Sequence, residues 1–72
     1  MIELLKQRLS KDGKVIFKLY SLIYVIEQKN EQFVIYPKLY EYKKMYYNNI
    51  YTLLDNYLIF NENIRENADK IK

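Results

Sequence analysis

Two serines and a cluster of acids are the residues of this chain that come closest to covalent or proton-transfer chemistry. The serines are Ser10 and Ser21; the acids are Asp55, Glu62, Glu66 and Asp69. The chain has no histidine and no cysteine, so the usual base for a serine nucleophile is missing, as are the usual soft-metal ligands. Both serines adjoin turn signals, where a hydroxyl caps or closes a turn. Glycosidase-like work needs two carboxylates on facing surfaces. These four share one polar stretch and read as a solvated face. No Asp-x-Asp-x-Asp-Gly loop organises a hard cation, and the single glycine, Gly13, cannot build a phosphate cradle. No catalytic residue, metal site or cofactor is assigned, and the chain reads as a non-enzyme.

The segment with functional texture is basic and aromatic, from Tyr36 to Tyr47. Its candidate interaction surface consists of Lys38, Tyr40, Tyr42, Lys43, Lys44 and Tyr46. If residues 38–47 form a strand, Tyr40, Tyr42, Lys44 and Tyr46 share one face. If they form a helix starting at Pro37, an allowed first-turn position, Leu39, Tyr42 and Tyr46 align instead. The tyrosine content favours the strand. Such a face could stack unpaired bases, at about 1–3 kcal/mol per base. Arginine, the favoured base and phosphate reader, is scarce, and no RNP-type pattern with its glycines is present. Tyrosine is also enriched in protein-binding hot spots, where it gives contact area at low entropic cost.

Composition tempers arguments from abundance. Lys, Asn, Ile, Tyr and Phe, all with AT-rich codons, fill 38 of 72 positions. That bias points to an AT-rich source, such as a low-GC bacterium or one of its mobile elements, so placement counts for more than number. The net charge is +3, with only a mild gradient from a basic first part to a slightly acidic last part.

The elements that must carry these residues are short. Residues 1–72 are read as one small domain, near the lower limit for a self-sufficient core. Ile2, Leu5 and Leu9 give an N-terminal helix over residues 2–10, and Asp12-Gly13 a tight turn. Strands follow at 15–19, 22–27 and 32–36, with turns at Tyr20-Ser21 and Lys29-Asn30-Glu31 and a stop at Pro37. Capped by Asn48 or Asn49, a helix over 50–58 carries the stripe Ile50, Leu53, Leu54, Tyr57, Leu58. Leu58 to Asn61 joins it to a second short helix, signalled by the capping-box spacing of Asn63 and Glu66, with Ile64, Ala68 and Ile71 as its thin stripe and Lys70 and Lys72 at its end. The expected fold is α+β: a three- to four-stranded antiparallel meander packed by a C-terminal amphipathic helix, with short N- and C-terminal helices.

In the strand Leu22 to Ile26 both side-chain sets are apolar, so both faces need cover. The cover is either the N-terminal helix crossing the second face or a partner. The N-terminus lacks the basic start and apolar core of a secretion signal, and no apolar run approaches the ~20 residues of a membrane helix. A cytoplasmic location is expected. The functional expectation is a small non-catalytic protein-binding or regulatory module, of phage or mobile-element type, that masks a surface on a larger protein. Its partner is a protein or a second copy, with a homodimer set ahead of a monomer. The alternative is a nucleic-acid-binding accessory protein using the Tyr/Lys surface. No membrane or small-molecule ligand is inferred.

Overall fold

A computed structural model describes residues 2–67; the side chain of Ile2 lies outside what it describes. The fold is α+β, a four-stranded antiparallel sheet in the order β1-β2-β3-β4 with two helices and a small hairpin. Helix α1 spans Ile2–Asp12. Its end is set by Gly13, which takes φ +70 and donates its N–H to the Leu9 carbonyl at 2.8 Å. A left-handed residue after the last turn satisfies a free helix carbonyl, and glycine does so without steric cost.

The next strands are β1 (Lys14–Leu19), β2 (Leu22–Lys29) and β3 (Gln32–Pro37). Tyr20 and Ser21 both have positive φ, 52° and 66°, as in the type I′ turn whose twist suits a two-residue hairpin. At the β2–β3 loop Asn30 takes the positive φ, 58°, which asparagine tolerates better than most side chains. These two turns hold the register: Leu19 faces Leu22, Val15 faces Ile26, and Ile26 faces Ile35.

Residues 38–47 are neither the continuous strand nor the helix that the sequence allowed. Pro37 ends β3, and the Lys38 N–H turns back to donate to the Ile23 carbonyl at 2.8 Å. A 3-10 turn follows at Glu41–Lys43, and only Met45–Tyr47 extends as β4. The expected single face of Tyr40, Tyr42, Lys44 and Tyr46 is therefore broken, because seven residues go into the connection. Tyr46 alone of the four lies on a strand, opposite Val34.

Helix α2, Ile50–Asn56, is capped by Asn49, whose side chain accepts from the Tyr51 N–H at 2.7 Å. It stops short of the expected Leu58. Leu58–Ile59 forms β5 and pairs with β6, Glu62–Asn63. Phe60 and Asn61, at φ 52° and 68°, make the turn. The segment read as a link between helices is thus a third hairpin, and Leu58 is exposed. Asn63 and Glu66 do make the reciprocal capping-box bonds, at 3.0 and 2.7 Å. The described residues after them form a turn, with Ile64 fully buried. Ala68, Asp69, Lys70, Ile71 and Lys72 lie outside the described residues.

The core lies on one side of the sheet. Val15, Phe17, Leu19, Tyr24, Ile26 and Ile35 point into it, and Leu5 and Leu9 of α1, Leu53 and Leu54 of α2, Ile59 and Ile64 close over them. The Phe17 and Tyr24 rings stack at 5.6 Å, and Tyr57 meets Tyr24 edge-on at 6.3 Å. Asn67, the buried polar residue among those described, accepts from the Tyr20 hydroxyl at 3.0 Å and donates to the Asn63 carbonyl at 3.0 Å. It ties the last turn to the first hairpin.

Burial pushes the Tyr57 hydroxyl up to about 12, with smaller contributions from Tyr24 and Tyr47; burial raises Tyr24 as well. An unfolded tyrosine titrates near 10. Above that pH the unfolded chain loses a proton that the folded chain keeps, so unfolding is favoured. The stability that Tyr57 contributes is fully present below about pH 10 and is lost as pH rises toward about 12. Denaturant midpoints measured from pH 9 to 12 should fall more steeply for the wild type than for Tyr57→Phe. Equal slopes would place Tyr57 in water.

Candidate interaction surface

Side chains alternate across a strand, so the register also defines the other face of the sheet. Lys14, Ile16 and Lys18 of β1 lie opposite Glu27, Val25 and Ile23 of β2. Val25 faces Tyr36, and Val34 faces Tyr46. The floor of this face is a small apolar cluster of Val25, Val34 and Tyr36, separate from the main core. Among the described residues neither α1 nor α2 lies over it. Both helices pack on the core side, which settles one question that the sequence left open: α1 does not cross the second face.

Three large apolar side chains stand exposed around that floor: Ile16 at 47%, Ile23 at 41% and Tyr46 at 58%. Scattered exposed apolar residues are ordinary, but a contiguous group on a sheet face is a candidate interaction site. Tyr36 is only 6% exposed. The ammonium of Lys44 sits 5.2 Å from its ring centroid, and burial together with Glu27 and Glu41 raises its hydroxyl pKa. Its ring face is thus occupied by a cation and closed to a stacking base.

The rest of the sequence-derived surface sits at one end of the sheet. Tyr40 and Tyr42 meet edge-on at 6.1 Å, with the Lys43 ammonium 5.3 Å from the Tyr40 ring and 6.0 Å from the Tyr42 ring. Tyr42 is 80% exposed. Beside them the β1–β2 turn and the β3–β4 connection enclose an apolar pocket of about 120 Å³, walled by Leu22, Ile23, Pro37, Leu39 and Tyr40, with Lys38 at its lining. Ile23 belongs both to this wall and to the open face, so the two are continuous.

The six residues singled out in the sequence therefore divide. Lys44 and Tyr46 join the open face, Lys38 and Tyr40 line the end pocket, and Tyr42 and Lys43 project from the connection. Sequence reasoning missed Ile16 and the lysines of β1. The available signal was the doubly apolar β2, which marked a second face without naming its neighbours.

Of the residues weighed for chemistry, Ser21, Asp55 and Glu66 have structural employment, and Asp69 lies outside the described residues. Ser10 is on an exposed part of α1, and Ser21 is in the β1–β2 turn. Asp55 accepts from Arg65 at 2.6 Å, and Glu66 serves the capping box. Among the described residues no helix is long and apolar enough to cross a membrane. Comparison of the chain with protein-family models, with curated proteins and with solved structures gave no match.

Proposed function

We propose that this chain is a small non-catalytic protein-binding or regulatory module that docks through the open face of its sheet and masks a surface on a larger protein. The observation that carries this reading is the one-sided packing. The core closes under α1, α2 and the β5–β6 hairpin, while Ile16, Ile23 and Tyr46 stay exposed around a separate apolar floor. In this reading the amphipathic α2 is the C-terminal packing element: with Leu53 and Leu54 fully buried, it braces the sheet from behind. A cytoplasmic setting and an origin in a phage or mobile element of an AT-rich host accord with the composition.

A nucleic-acid reading has one observation of its own, the exposed Tyr40–Tyr42 pair with Lys43 across both rings. Against it, the face is floored by aliphatic groups, and its central tyrosine is buried under a lysine. Aliphatic anchors suit protein side chains better than bases.

The experiment is photo-crosslinking in the source cells, with p-benzoylphenylalanine in place of Ile23 on the open face or of Gln7 on exposed α1. A discrete protein adduct from position 23 and none from position 7 is the expected result. An adduct released by nuclease, or one formed only from position 7, would overturn the proposal.

A further inference from the structure

We infer that the partner's surface is acidic around an apolar stripe, and that it is a different protein, not a second copy of this chain. This inference rests on the docking role of the open face. Its basis is the distribution of charge across that face. The strand positions facing outward there carry Lys14 and Lys18 of β1 and Lys29 of β2, against a single acid, Glu27. Lys44 sits over Tyr36, and Lys38 sits by the end pocket. Five lysines therefore surround the exposed isoleucines, against Glu27 and, beside Tyr36, Glu41. The adjoining connection adds Lys43, so positive charge still exceeds negative around this face. The chain's net charge is only +3, so its positive excess is concentrated on the side that the helices leave open.

A basic rim around an apolar centre selects its complement. Stacking two copies through this face would set five lysines against five, and like charges across an interface are strongly disfavoured. Glutamates or aspartates flanking leucine-sized anchors meet both requirements. The lysines steer the encounter, and Ile16 and Ile23 take the apolar contact. The pocket walled by Ile23, Pro37 and Leu39 has room for one aliphatic side chain of that partner. Nucleic acid would satisfy the lysines but leave the isoleucines against a polar backbone.

The test uses the wild-type chain and three defined probes at 50 mM salt, followed by amide chemical-shift mapping. One is an 18-residue amphipathic helical peptide with a leucine stripe flanked by glutamates. The second is the same peptide with lysines for glutamates, and the third is a twelve-nucleotide oligothymidylate. The expected result is saturable binding of the glutamate peptide with shifts centred on Ile16, Ile23, Val25 and Tyr46, and at least tenfold weaker binding of the lysine peptide. Lys14→Gln with Lys18→Gln should narrow that ratio severalfold without changing the melt, and 300 mM salt should narrow it too. Equal binding of both peptides on this face would remove the acidic partner and leave protein docking standing. No peptide shifts on this face, or tighter binding of the oligonucleotide there, would remove the docking role as well. Self-association through the same amides at millimolar concentration, ahead of the glutamate peptide, would restore the second copy.

Discussion

Replacing Leu54 by alanine is expected to leave most of the protein unfolded at room temperature. Leu54 is fully buried in the seven-residue α2 and belongs to the cluster that joins both helices to β1, β2 and β3. Truncating such a leucine removes its burial and leaves a cavity, at a cost of about 2–5 kcal/mol. A single core of this size seldom supplies more than about 3–5 kcal/mol, and no disulfide can compensate, since the chain has no cysteine. Any remaining melt should shift down by at least roughly 10 °C. Leu58→Ala is the informative companion. It falls on the same helical stripe in the sequence, yet Leu58 stands exposed on β5, so its loss should change the melt little. A near-native Leu54→Ala, or equal costs at the two sites, would contradict the packing described.

That pair of leucines shows what periodicity could reveal and where it stopped. Ile50, Leu53, Leu54 and Tyr57 recur at helical spacing, and the fold places all four in or against the core. The helix ends at Asn56 because the chain then turns through Phe60 and Asn61, both at positive φ. Phenylalanine is a poor predictor of such a turn, so Leu58 to Asn63 did not read as a hairpin. The Tyr20-Ser21 turn is also built without glycine, but flanking strands on either side made it legible. Residues 38–47 were ambiguous for a related reason. Tyrosine and lysine alternate there without an apolar period, and local i→i+3 bonds from Tyr40 to Pro37 and from Lys43 to Tyr40 decide the path.

The site was legible only in outline. The doubly apolar run from Leu22 to Ile26 implied a second face in need of cover. Which strands flank that face depends on long-range register, which one sequence does not display. Ile16 and Lys18 enter the site because β1 pairs with β2, and Tyr46 because it pairs beside Val34. Tyr40 and Tyr42 were placed by an assumed strand alternation that the 3-10 turn abolishes.

Ile16→Thr combined with Ile23→Thr is the second large effect expected, in binding and not in stability. Both isoleucines are partly exposed, at 47% and 41%, and threonine keeps the β-branch that suits a strand. The fold should therefore survive with a loss of about 1 kcal/mol, within the usual range for partly exposed substitutions. As central apolar anchors, each is worth about 1–2 kcal/mol to an interface, so together they should weaken partner binding by roughly a hundredfold. Leu53 and Leu54 on the braced side have no such tolerance.

The most direct measurement is co-purification of the tagged chain from its source cells, wild type beside the Ile16→Thr/Ile23→Thr variant, after confirming that both melt natively. The wild type should retain a discrete protein that survives nuclease treatment, and the double variant should lose it. Retention of that protein at the wild-type level by a natively folded double variant would show that the open face is not where this chain binds.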